Sequence, residues 1–178
     1  LLSKEKPTVD GGSPAMFVLM LNHPKFREFN TSSLQCVMSV ASAIPEEVIR
    51  SLQGIWPDIK VYNTYLLTEG GTGGTVLDAS DAMSKLGSCG LPLGPDQELR
   101  VVDPHGKDVK SGDVGEVIIR GPNVMKEYYK NPKATEKTLQ NGWLYTGEIG
   151  RASCRERGEM RGAPRAAKKK LQQTQKRY

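Results

Sequence analysis

Between residues 13 and 65 the sequence alternates helix signals with short apolar runs, and this alternation narrows the fold to an α/β class built on a parallel sheet. Ser13-Pro14 supplies an N-cap followed by Pro at the first helical position, which predicts a helix through Ala15 to Asn22. Leu34–Met38 is a short apolar strand candidate. Pro45-Glu46-Glu47 opens a second helix with acids at its positive end and Val48, Ile49 and Leu52 on one face. Trp56-Pro57-Asp58 breaks the chain before a further strand over Ile59–Tyr65.

After Gly70-Gly71-Thr72-Gly73-Gly74 the character changes. Glu98–Asp103 and Val114–Arg120 are rich in β-formers and flank the turn formers Pro104-His105-Gly106 and Ser111-Gly112, which predicts an antiparallel pair. Asn131-Pro132 repeats the cap-plus-Pro start for a helix through Leu139. The expected organisation is a partial α/β subdomain over 1–97, a β-rich subdomain with one helix over 98–149, and a tail over 150–178.

The tail differs in kind. The net charge is +5, but residues 151–178 hold ten Lys/Arg against two Glu, a net +8, so residues 1–150 carry −3. From Arg151 onward there is no Ile, Val, Phe or Trp, and the run Lys168-Lys169-Lys170 leads into Gln-rich sequence. Such a segment cannot bury enough apolar surface to offset its ordering entropy, so it is expected to be disordered. The three cysteines, Cys36, Cys89 and Cys154, form no CxxC or Cys/His cluster, which argues against zinc and a disulfide framework and for a reducing, cytoplasmic setting. No apolar run approaches the roughly 20 residues that span a bilayer, and the start carries no secretory signal. The absence of an initial Met suggests that the natural start lies upstream.

Three blocks carry a resemblance. Tyr65-Leu66-Leu67-Thr68-Glu69 resembles Tyr-Gly-x-Thr-Glu; Gly115-Glu116-Val117-Ile118-Ile119-Arg120-Gly121-Pro122-Asn123-Val124-Met125-Lys126-Glu127-Tyr128-Tyr129 resembles Gly-Glu-Ile-x-Val-Arg-Gly-Pro-x-Val-Met-x-Gly-Tyr; and Gly142-Trp143-Leu144-Tyr145-Thr146-Gly147-Glu148 is similar to Gly-Trp-x-x-Thr-Gly-Asp. In this order and spacing they are the marks of the adenylate-forming superfamily of acyl-CoA synthetases, luciferases and peptide-synthetase adenylation domains, and the resemblance covers about residues 8–149. It implies part of that family's large N-terminal domain, a parallel sheet with helices plus a smaller antiparallel part. It also implies a reaction in which ATP and Mg²⁺ convert a carboxylic acid to an acyl-adenylate, followed by transfer to CoA. Charge builds on phosphate oxygens in the first step, which calls for hydrogen-bond donors and a cation.

The resemblance assigns roles by position. Thr68 would contact the α-phosphate and Glu69 would help to hold Mg²⁺; taken alone, the pair also reads as a strand end with surface polar residues. Asn63, Thr64, Tyr65, Leu66 and Leu67 would line the nucleotide, with Tyr65 near the adenine. Ala41, Ser42 and Ala43, in Ser39-Val40-Ala41-Ser42-Ala43-Ile44-Pro45, stand where the family has Ser-Gly-Gly-Ala-Pro-Leu-Pro, so Val40 and Ala41 replace glycines. Leu66 likewise replaces a Gly. Glu148 stands at the ribose-binding Asp, one methylene longer. Met16 and Phe17 fall where the family borders its acyl pocket, although core packing explains them equally well. Leu21-Asn22-His23-Pro24-Lys25-Phe26 is most similar to fatty-acyl-CoA ligases, which implies a fatty acid substrate.

The family's Gly-rich phosphate loop, its hinge and its Lys-bearing small domain are not in this sequence, so the chain is expected to be inactive alone. Ile149-Gly150-Arg151-Ala152-Ser153-Cys154-Arg155-Glu156-Arg157 resembles the in-frame translation of a short sequencing adapter beginning AGATCGGAAGAGC. Read that way, Glu148 is an Asp codon rewritten at the junction and the residues after it are not natural protein. An alternative from another class is a noncatalytic interaction fragment whose basic tail binds nucleic acid or acidic surfaces. That binding would be blind to base sequence, because the tail offers only Tyr178 for stacking.

Overall fold

The computed structural model describes residues 2–71, 73–152 and 160–162. Its elements run α1 (Leu2–Glu5), β1 (Val9–Gly12), α2 (Pro14–Leu21), β2 (Cys36–Ser39), α3 (Glu46–Ile55), β3 (Lys60–Leu66), β4 (Gly74–Leu77), β5 (Ser88–Pro92), β6 (Glu98–Val102), β7 (Val114–Arg120), α4 (Pro132–Thr138), β8 (Leu139–Gln140), β9 (Trp143–Ala152) and β10 (Met160–Gly162). The chain is mixed α/β, with parallel and antiparallel strands, as the sequence predicts. It divides into two compact units, one of Leu1–Tyr65 with Val76–Ser88 and one of Leu66–Thr75 with the described residues from Cys89 onward.

In the first unit β1, β2 and β3 are parallel, with Val9, Cys36 and Lys60 in one row and Gly12, Ser39 and Asn63 in another. Residues alternate across a strand, so Val37 and Val61 share a face. That face meets Val48, Ile49 and Leu52 of α3, with Phe17, Phe26, Trp56 and Ile59 completing the cluster. Trp56 is locked from two sides: Phe26 meets it edge-on at 5.7 Å, and its indole N–H donates to Thr31 Oγ1 at 3.2 Å. The apolar stripe read from α3 is therefore the core face of the unit.

In the second unit β6 pairs antiparallel with β7 in the register Glu98↔Arg120 to Val102↔Glu116, and β7 pairs with β9. Val102, Val117, Ile118, Ile119 and Leu144 are buried. The β7–β9 ladder is interrupted: Ile118 faces Tyr145 and Glu116 faces Ile149, so Thr146, Gly147 and Glu148 together oppose Val117. Such a bulge re-aims side chains. Gly147 takes φ +68 within it, a left-handed value that glycine tolerates.

Two differences from the sequence expectation concern boundaries. Residues 66–75 and 89–97, grouped by sequence with the parallel sheet, belong to the second unit, because compactness follows contacts and need not follow chain order. Strand β9 continues through Gly150, Arg151 and Ala152 beside Gly115 and Val114, and Met160–Gly162 pairs with its end, although these residues fall in the segment expected to lack structure. Backbone hydrogen bonding extends a strand whatever its side chains, as Gly112 N–H to Ala152 O at 2.8 Å illustrates. The rest of that tail, 153–159 and 163–178, lies outside the described residues.

Candidate functional site

A cavity of about 600 Å³ opens in the second unit, lined among others by Glu69, Glu116, Tyr128, Lys137, Tyr145 and Glu148. Three local structures build it. The chain leaving β3 turns through a single 3₁₀ turn at Thr68–Gly70, which presents Glu69. The β9 bulge presents Glu148, whose N–H donates to Thr146 Oγ1 at 3.0 Å while that hydroxyl donates to Val117 O at 2.7 Å. Helix α4, capped by Asn131 Oδ1 accepting from Ala134 N–H, brings Lys137 and Thr138 to the wall.

Glu69 is held at both ends. Its carbonyl accepts from Met125 N–H at 2.8 Å, and its Oε1 accepts from the Tyr128 hydroxyl at 2.8 Å. The bond to Glu69 raises the pKa of the Tyr128 phenol above its ordinary value, and burial and the nearby negative charge add to this. Gly71, at φ +60, lets the loop pass so close to the Asn123 carbonyl that a Cβ would sit 2.5 Å from its oxygen. Glu116 Oε1 accepts from Gly147 N–H at 2.9 Å and ties the bulge to β7.

The cavity thus joins Leu67, Glu69 and Glu148 of the predicted residues, with Thr68 exposed beside Glu69. Leu66 is exposed. The first unit holds the others. Ala41, Ser42 and Ala43 are exposed in the loop after β2, and Ala41 takes φ +72. Asn63 and Thr64 are buried and serve the sheet: Asn63 Nδ2 donates to Ser88 O at 2.8 Å and Thr64 Oγ1 to Ser39 O at 3.0 Å. Tyr65 is half-buried. Met16 is exposed, whereas Phe17 is 2% exposed and lies in the core cluster. An apolar cavity of about 510 Å³ opens instead beside Leu19, Met20, Phe26 and Phe29. Tyr128, Glu116 and Lys137 carry no role in the sequence reading. Tyr128 and Glu116 nevertheless fall inside the second motif block, which was the signal available for them.

The AMP-binding enzyme family model matches residues 1–129. The chain belongs to the AMP-binding enzyme family. Among curated members of this family it is 30% identical over 148 residues to the feruloyl-CoA synthase of Amycolatopsis sp, covering 83% of this chain and 30% of that protein. It is 32% identical over 155 residues to the long-chain-fatty-acid–CoA ligase FadD13 of Mycobacterium tuberculosis, covering 84% and 29%. Among solved AMP-binding enzymes, the N-terminal domain of FACL13 from Mycobacterium tuberculosis superposes with a TM-score of 0.78 at 29% identity, covering 92% of this chain and 40% of that one. O-succinylbenzoate coenzyme A synthetase from Bacillus subtilis, solved in complex with ATP and magnesium ion, gives 0.78 at 25% identity, covering 93% and 33%. The chain spans about 30% of the length of the curated relatives it matches. Its relatives are acid–thiol ligases, and the matched architecture is that of acyl-CoA synthetase N-terminal domains. Among the described residues no helix is long and apolar enough to cross a membrane.

Proposed function

We propose that this chain is a segment of an ATP-dependent acyl-CoA ligase that joins a carboxylic acid, of the fatty acid class, to CoA through an acyl-adenylate in the cytoplasm. The observation that carries the reading is the second unit's cavity, which joins Glu69 and Glu148 from two separate family motifs. Further support comes from relatives that are CoA ligases of carboxylic acids and from a structural neighbour solved with ATP and magnesium.

The donor set fits Mg²⁺. The ion prefers oxygen ligands and is ordinarily held by one or two carboxylates together with substrate phosphates, not by an all-protein cage. Glu69 would hold the ion, whose charge offsets that of the phosphate oxygens. Thr68 would donate its exposed hydroxyl to the α-phosphate, and Glu148 would accept from ribose hydroxyls. Ala41, Ser42, Ala43 and Tyr65 in the first unit, and Leu66 and Leu67 in the second, would take the nucleotide-lining roles implied by the family resemblance, whereas Asn63 and Thr64 hold the sheet. Met16, which is exposed, would take the acyl-side role, whereas Phe17 packs in the core.

ATP–pyrophosphate exchange driven by a panel of aromatic and aliphatic carboxylic acids tests the reading on the full-length ligase proposed to contain this sequence, with the 178-residue chain assayed beside it. Acid-dependent exchange by the ligase and none by the chain is the expected result. A ligase that exchanges with no carboxylic acid, in the presence of Mg²⁺, sinks the proposal.

A further inference from the structure

We propose that Tyr128 is a positioning residue for Glu69, holding one carboxylate oxygen so that the other is presented to the cation; the inference rests on the reading of Glu69 as the cation ligand. Glutamate reaches its carboxylate through three rotatable bonds, and a half-buried Glu at the lip of a cavity loses ligand geometry unless something fixes its tip. The 3₁₀ turn fixes only the base, through Met125 N–H to Glu69 O at 2.8 Å. The Tyr128 hydroxyl, donating to Oε1 at 2.8 Å, fixes the tip.

Tyr128 is itself braced. Its N–H donates to Thr135 Oγ1 at 2.9 Å, its carbonyl accepts from Asn131 N–H at 3.1 Å, and Asn131 caps α4. Residues 125–135 therefore form one bracket around Glu69, anchored on a helix start. The choice of donor matters as much as its position. A Lys or Arg at this place would cancel the charge that attracts a cation, whereas a phenol orients the carboxylate and leaves it anionic. Among the described residues Glu69 forms no ion pair. No family motif role was attached to Tyr128, and the contact that gives it one spans 59 positions of sequence.

The test is a double-mutant cycle with Tyr128→Phe, Glu69→Ala and the pair, made in the 178-residue chain for unfolding and in the full-length ligase for cation binding. Tyr128→Phe keeps the ring and removes only the donor. Two quantities are read: urea unfolding, which reports the hydrogen bond itself, and binding of Mn²⁺ in the presence of ATP by water-proton relaxation, with Mn²⁺ standing in for Mg²⁺ as an oxygen-seeking cation. The expected result is coupling between the two sites in unfolding, a cation affinity about tenfold weaker in Tyr128→Phe, as suits loss of a bond to a charged acceptor, and no further weakening when Tyr128→Phe is added to Glu69→Ala. If Tyr128→Phe binds Mn²⁺ as the unsubstituted ligase does, or weakens binding equally in both backgrounds, the inference is overturned and the nucleotide reading stands. If the unsubstituted ligase binds no Mn²⁺·ATP, the nucleotide reading fails and takes the inference with it. Absence of coupling in unfolding overturns the inference alone.

Discussion

Gly147 donates its backbone N–H to Glu116 Oε1 at 2.9 Å, so the carboxylate of β7 clasps the one glycine on which the β9 bulge turns. Gly147 takes φ +68, and a Cβ there would meet nothing within 4 Å. Replacement by Ala therefore meets backbone strain without a clash. Gly147→Ala is expected to lower the stability of the second unit by about 1 kcal/mol, the usual penalty for a side chain in the left-handed region, as read by urea unfolding.

Gly71 makes the contrast. Its φ of +60 resembles that of Gly147, but its Cβ would fall 2.5 Å from the Asn123 carbonyl oxygen, a backbone atom that cannot swing aside. Gly71→Ala should lose about 3 kcal/mol, combining the left-handed penalty with overpacking. Equal losses in Gly71→Ala and Gly147→Ala would show that the close approach is relieved by loop movement.

Ala41 offers the reverse case, a non-glycine at φ +72. Ala41→Gly relieves the strained conformation but frees the unfolded chain, and the balance is a gain of about 0.5 kcal/mol. A thermal melt of the variant that falls below that of the unsubstituted chain would refute this.

These three positions also mark what local sequence could reveal. Helix α3 and its buried Val48, Ile49 and Leu52 were legible because acids at the first turn and a 3.6-residue apolar period are local signals. The β6–β7 pair was legible because β-formers flank turn formers. Strand β1 was not: Val9-Asp10-Gly11-Gly12 has poor strand propensity and is held by parallel pairing to β2. The motif blocks pointed to Glu69 and Glu148, but not to the phenol that reaches Glu69 from Tyr128, nor to Phe17 turning into the core while Met16 faces out. Those facts depend on tertiary neighbours, which sequence spacing does not encode.

Asp103 closes the turn after β6 by accepting from His105 N–H at 2.8 Å and Lys107 N–H at 3.0 Å. The Lys107 bond foremost lowers its pKa below the ordinary carboxylate value. A carboxylate with a depressed folded-state pKa contributes stability that is present above its unfolded value and is lost as pH falls through the folded one. Stability should therefore decline on acidification below the ordinary Asp range. Asp103→Asn should flatten that decline while leaving the slope above neutral pH unchanged, as followed by urea unfolding across the pH series.

The chain's two tryptophans fall one in each unit, so the units can be followed separately. Trp56 is buried against Phe26, while Trp143 lies beneath the guanidinium groups of Arg120 at 4.7 Å and Arg100 at 5.2 Å. In a Trp143→Phe background the fluorescence transition reports Trp56 and hence the first unit. Leu52 is fully buried under that unit's sheet, and Leu52→Ala leaves a cavity there worth about 2–5 kcal/mol. The Trp56 transition should accordingly move to markedly lower urea. An unmoved midpoint would mean that the α3 packing around Leu52 does not hold the first unit together.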